Sequence, residues 1–150
     1  MLIKTAEDAG MHEHFEMIMP LRWSDQDLNG HINNARIVTL MEEARVRWLN
    51  STAASEGLET FQCPKVVASL NVEYRKPVSY EDELLLVLDI TRVGNGSFTV
   101  RHTGIQLGSS VFIGTTVVVP LDRESERPRK LTAAETAYLL RYAETASVAG

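Results

Sequence analysis

From Ile37 the apolar residues recur at Leu40, Met41, Ala44 and Trp48, the three-and-four spacing of a helix that buries one stripe. Asn33 and Asn34 stand just before it as N-cap candidates, and Glu43 and Arg47 lie four apart in the order that supports a helix. The helix is expected to fade over 50–55, with Gly57 marking a loop. Ahead of it, His14 to Trp23 alternates weakly around Pro20 and predicts an opening strand. Val66 to Arg75 alternates cleanly: Val66, Ala68, Leu70, Val72 and Tyr74 share one face and Val67, Ser69, Asn71, Glu73 and Arg75 the other, which predicts a half-buried strand. Leu84–Arg92, Ser97–Leu107 and Ser110–Pro120 read as further strands. Gly94-Asn95-Gly96 reads as a hairpin turn through the tolerance of Asn-Gly for positive φ. Thr132-Ala133-Ala134-Glu135 is a capping box for a last helix running through about 143.

The order strand, long helix, four strands, short helix predicts an α+β fold in which a curved antiparallel sheet wraps one central helix. At 150 residues the chain is expected to be one domain, 1–150, with its core at about 14–121 and its C-terminal helix at about 132–143. A net charge of -5 argues against a nucleic-acid partner. The small basic clusters Arg75-Lys76 and Arg129-Lys130 read as solvated surface that has room for a few phosphates of a small ligand. No apolar stretch reaches bilayer length, Leu84 to Leu88 being the longest dense one, so no membrane partner is expected. Met1 to Met11 lacks the pattern of an export signal, and the single cysteine, Cys63, rules out an internal disulfide and a cysteine-rich zinc site. A cytoplasmic protein is the expectation.

Against this background Arg22 to Asn34 stands out. It places Asp25, Asp27, Asn29, Gly30, His31 and Asn33 between a strand and the mouth of a helix. A helix mouth offers unpaired N–H groups and a positive dipole end, a suitable place for developing negative charge. Asp27 has the chemistry of a general base or nucleophile, and the N–H groups near Gly30 and His31 that of carbonyl donors. Asp25-Gln26-Asp27-Leu28-Asn29-Gly30 also fits the start of a calcium loop, but its twelfth position is Arg36 and a strand precedes it. Elsewhere His12 and His14 read as surface, His102 as packed or hydrogen-bonded, Cys63 as a buried filler, and Glu42 and Glu43 as a pair on the helix flank.

The motif Asp25-x-Asp27-x-x-Gly30-His31-x-Asn33-Asn34, a helix carrying Glu43-Ala44-Arg45, and a meander of strands together resemble the hotdog-fold thioesterases. The nearest group is the 4-hydroxybenzoyl-CoA thioesterase-like acyl-CoA thioesterases, over about 15–121. Asp27-x-Asn29-x-His31 and Val72-Glu73-Tyr74-Arg75 also resemble plant acyl-carrier-protein thioesterases. The resemblance implies that Asp27 is the catalytic carboxylate with Asn29 and His31 beside it, and that Glu73 assists; Asp25, Asn33 and Glu43 are further candidates for an assisting role. It implies an acyl-CoA substrate, no metal, no bound cofactor, and a homodimer or dimer-of-dimers tetramer with active sites at the subunit interface. The acyl pocket is expected to use Ile37, Leu40, Met41 and Phe61. Ile37 departs from the family's usual aromatic residue, and Pro77 stands where the plant enzymes carry a cysteine. An acyl-carrier-protein thioesterase and a non-catalytic acyl-binding hotdog module are the alternatives.

Overall fold

A computed structural model describes residues 12–144; the readings of Met1–Met11 and of the outermost domain limits lie outside them. Strand β1, Phe15–Met19, opens the fold, shorter than expected because Pro20 cannot donate to a ladder. Helix α1, Asn34–Val46, runs on without fading through a widened π turn, Arg47–Thr52, into the short α2, Ala53–Ser55. The expected stripe of Ile37, Leu40, Met41, Ala44 and Trp48 is buried throughout. One extra residue in the π turn carries the stripe onward, so that Leu49 and then Ala53 are buried as well.

Strands β2, Lys65–Tyr74, β3, Leu84–Val93, β4, Phe98–Gln106, and β5, Ser109–Pro120, complete one antiparallel sheet in the order β1-β3-β4-β5-β2. Leu84, Leu86, Leu88, Val100, Phe112 and Val118 are buried with the α1 stripe as one core. At Gly114 the sheet admits Met41 at close range, since a Cβ there would sit 2.3 Å from the Met41 Cε. This is the hotdog arrangement that the sequence implies, a curved sheet around one long helix. Helix α3, Ala133–Arg141, begins at the expected capping box of Thr132 and Glu135 and packs Tyr138 and Tyr142 around Trp48.

Two expectations change. The Asn95-Gly96 turn forms, with the Gly94 N–H donating to the Ser97 carbonyl at 2.8 Å, but neither Asn95 nor Gly96 takes positive φ. Left-handed backbone falls instead at Leu107 and Gly108, in the β4–β5 turn. Strand β2 is not half-buried: Val66, Val67, Leu70 and Tyr74 are 42–48% exposed, because β2 is an edge with a neighbour on one side only. A register shift between Val67 and Ser69 makes Ala68 an extra residue. Val67 lies opposite buried Val118, and Leu70, Val72 and Tyr74 lie opposite Thr116, Gly114 and Phe112. Directly opposed residues share a face, so the helix side carries Val67, Leu70, Val72 and Tyr74, and Val66 falls on the outer side.

Candidate active site

Past Pro20 the chain turns through a short 3-10 segment, Trp23–Asp25, and buries the first aspartate of the motif. Asp25 is 3% exposed. Its carboxylate accepts from the Arg22 backbone N–H at 3.0 Å, the Arg22 guanidinium at 3.2 Å and the Arg36 Nε at 2.8 Å. Burial pushes the acid's pKa up, but these donors outweigh it and hold the pKa below the usual carboxylate value. The Asp25 carbonyl accepts the Asn33 N–H at 2.9 Å. Asp25 therefore builds the loop, and with both oxygens bonded to donors it is no calcium ligand.

The outer part of the loop is a tight turn. Asp27 N–H donates to the His31 carbonyl and Gly30 N–H to the Asp27 carbonyl, each at 3.0 Å. Gly30 takes φ +75 with open space around it, a conformation that favours glycine. The Asp27 Oδ1 accepts the Asn29 N–H at 2.9 Å, and its Oδ2 accepts the Asn33 Nδ2 at 3.3 Å. The other side-chain atom of Asn33, Oδ1, accepts the Ala35 N–H at 2.8 Å and caps α1. One amide thus ties the acid to the helix mouth. Two contacts dock the loop: Ile32 N–H to the Val78 carbonyl at 2.9 Å, and Tyr74 Oη–H to the Asn34 carbonyl at 2.8 Å.

These residues face a cleft of about 280 Å³ lined by Asp27, Asn29, His31, Ile32, Asn34, Ile37 and the run Tyr74–Val78. Asn29 and His31 are exposed and Asp27 is half-buried. The expected carbonyl donor at Gly30 is corrected, because that N–H is consumed inside the turn. The N–H groups of His31 and Asn34 make no hydrogen bond among the described residues.

The structure gathers Asp27, Asn29, His31 and Ile37 on the cleft and leaves the other expected residues away from it. Asn33 acts from behind, through Asp27. Leu40, Met41 and Phe61 are buried core instead of wall, Phe61 packing on Phe98 and Tyr138. Glu43 pairs at the surface with Arg47 at 3.8 Å. Glu73 lies on the outer side of β2 and pairs with Arg75 at 3.7 Å. Sequence reading did not place Asn34, Arg75, Lys76 or Val78 at the cleft. The inward phase of Tyr74 was the available signal for the segment that follows it.

The remaining polar groups serve the scaffold. The buried Cys63 Sγ accepts from the Arg129 Nη2 at 3.2 Å, and the same guanidinium forks onto buried Glu135 at 2.8 Å. His12, Asp89 and Glu144 approach one another closely enough for a metal, but the Arg101 guanidinium donates to both carboxylates and supplies the positive charge there. His102 is fully buried and neither ring nitrogen has a partner among the described residues. Its burial, helped by the nearby Arg45 charge, lowers its pKa to about 3.

Known proteins are similar to this chain in sequence and in fold. The family model described as the thioesterase-like superfamily matches residues 21–137. The uncharacterized protein YsmA of Bacillus subtilis (strain 168) is 31% identical over 122 residues, covering 80% of this chain and 81% of YsmA. The long-chain acyl-CoA thioesterase FadM of Escherichia coli (strain K12) is 28% identical over 71 residues, covering 47% of this chain and 54% of FadM. Among solved structures, a thioesterase from Thermus thermophilus, in complex with coenzyme A and Zn, superposes with a TM-score of 0.69 at 29% identity. That match covers 83% of this chain and 90% of the other. No helix among the described residues is long and apolar enough to cross a membrane. The motif, the sheet wrapped on one helix and the family match agree: the chain belongs to the thioesterase-like superfamily and is a thioester hydrolase of hotdog fold.

Proposed function

We propose that this protein is an acyl-CoA thioesterase in which Asp27 activates the attacking water. The observation that carries the reading is the Asp27 carboxylate itself. It is oriented by Asn29 and Asn33 at the mouth of α1 and faces a cleft beside two N–H groups with no partner of their own among the described residues. The longer of its two hydrogen bonds, at 3.3 Å, falls on Oδ2, which leaves that oxygen the freer one to accept a proton. Water attacks the thioester carbonyl as Asp27 takes its proton, and the negative charge that develops on the carbonyl oxygen falls to the His31 and Asn34 N–H groups. The tetrahedral intermediate collapses by breaking the C–S bond. The leaving thiolate needs little help, since a thiol pKa is about 8.5; it recovers the proton from Asp27, giving free acid and CoA. Asn29 and His31 stand where they can hold the water or the thioester.

A coenzyme A substrate is supported by the relatives, FadM being named an acyl-CoA thioesterase and the Thermus protein being bound to coenzyme A. The exposed, apolar β2 edge supports assembly as a homodimer; a stable monomer in sedimentation would remove that part of the reading. The run Asp27-x-Asn29-x-His31 also favours a second carrier, acyl-carrier protein. Thiol release from short, long and aromatic acyl-CoAs and from a matched acyl-carrier thioester tests both. Turnover of acyl-CoA by wild type and its loss in Asp27→Asn is the expected result. Turnover confined to the carrier thioester would replace the substrate, and no turnover on any of them would leave an acyl-binding module.

A further inference from the structure

Tyr74 is the last residue of β2, on the side of the strand that faces α1, and it lines the Asp27 cleft. Its hydroxyl donates to the Asn34 carbonyl, 40 residues back along the chain, at 2.8 Å. The N–H of that same peptide unit, on Ala35, donates to the Asn33 Oδ1, also at 2.8 Å. A peptide unit is planar, so holding its carbonyl and its N–H fixes how the first peptide of α1 is tilted. The Asn34 N–H is carried on the Cα that borders this peptide and follows its setting. On the other side, the Asn33 Nδ2 donates to the Asp27 Oδ2 at 3.3 Å. One line of hydrogen bonds therefore runs from Tyr74 through the helix mouth and Asn33 to the acid, and neighbours in such a line polarise one another. Burial pushes the Tyr74 pKa up, so the phenol keeps the proton that it donates.

We infer that Tyr74 is a positioning residue for thioester hydrolysis, its hydroxyl setting the first peptide of α1 and, through it, the Asn34 N–H and the Asp27 carboxylate. The inference rests on the reading of Asp27 as base and of the Asn34 N–H as carbonyl donor. It gives the hydroxyl no proton transfer and no contact with the reacting atoms. A base and a donor held in place act on the transition state more than on the bound substrate, so the loss of this hold falls on kcat.

Thiol release from the thioester that wild type turns over best tests the assignment, in wild type, Tyr74→Phe, Asn33→Ala, the double variant and Asp27→Asn. Tyr74→Phe keeps the ring and removes only the hydroxyl. It is expected to lower kcat about tenfold, the order of one hydrogen bond, and to leave KM nearly unchanged. It melts close to wild type, since Tyr74 is 44% exposed and water can replace the hydroxyl at the Asn34 carbonyl. The double variant loses little more kcat than Asn33→Ala alone, because both changes release the same peptide. The pH profile of kcat keeps its shape in Tyr74→Phe. An unchanged kcat, a loss confined to KM, losses that multiply in the double variant, or a melting temperature well below wild type overturns the role. So does the disappearance of an alkaline limb in the profile, which would make the hydroxyl a catalytic acid. Dissociation of an assembled wild type by Tyr74→Phe, seen by sedimentation, also overturns it by assigning the hydroxyl to a contact between copies. If Asp27→Asn has lost turnover, each of these results removes Tyr74 alone. No turnover by wild type, or turnover kept in Asp27→Asn, removes the reading of the site and this inference with it.

Discussion

The inner and outer turns of the loop each hold an aspartate, two residues apart, in surroundings of opposite kind. Around Asp25 the protein supplies two guanidinium groups and a backbone N–H and shuts out water. Around Asp27 it supplies one N–H and one amide and leaves the carboxylate half-open to a cleft. A carboxylate that is buried and accepts three hydrogen bonds, two of them from cations, is a strut, because most of its accepting capacity is already engaged. A carboxylate aimed by two neutral donors keeps capacity to accept a proton. The difference shows that chemistry in this motif follows the partners, not the residue type.

The largest expected effect follows from that contrast. Asp27→Asn lowers kcat/KM by about 10²–10⁴, the usual worth of a positioned general base, as measured by thiol release. Asp25→Ala instead reduces stability by about 2–3 kcal/mol in denaturant unfolding, since it strips the loop of its central acceptor. A pH titration of stability sharpens the comparison with a buried group that is not a strut. The His102 pKa is lowered to about 3, so the imidazole stays neutral in the fold while the unfolded chain takes up a proton below about 6.5. Stability is therefore lost as the pH falls from about 6.5 toward 3, at up to about 1.4 kcal/mol per pH unit. His102→Leu flattens that slope between about pH 6.5 and 4.5, above the range in which carboxylates titrate. The smallest effect is expected at the residue that joins the two turns: Asn33→Ala costs about 1 kcal/mol as a lost cap. It also lowers kcat more than it raises KM, because Asp27 loses its Asn33 donor.

Much of this was legible along the chain. The α1 stripe declared itself because a helix repeats its buried face over several turns, and the loop declared itself because carboxylates, amides and a glycine had no packing reason to cluster. What stayed hidden depends on partners across space. Alternation from Val66 to Tyr74 looks unbroken, so nothing in it marks Ala68 as the bulge that reverses the phase of the residues before it. Nor does alternation say that β2 has a neighbour on only one side. The Gly30 N–H looked free because glycine marks a turn without telling which of its groups closes it. Phe61 fell in the core because apolar character alone does not separate a pocket wall from a packing residue.

The most direct test is a paired measurement on Asp25→Asn and Asp27→Asn: melting temperature, and kcat/KM for one acyl-CoA by thiol release under conditions where each is folded. The expected pattern is a crossed one. Asp27→Asn loses turnover and keeps its melting temperature close to wild type, whereas Asp25→Asn melts lower and retains more turnover than Asp27→Asn. Turnover preserved in Asp27→Asn and abolished in a folded Asp25→Asn would contradict the assignment of the chemistry to Asp27.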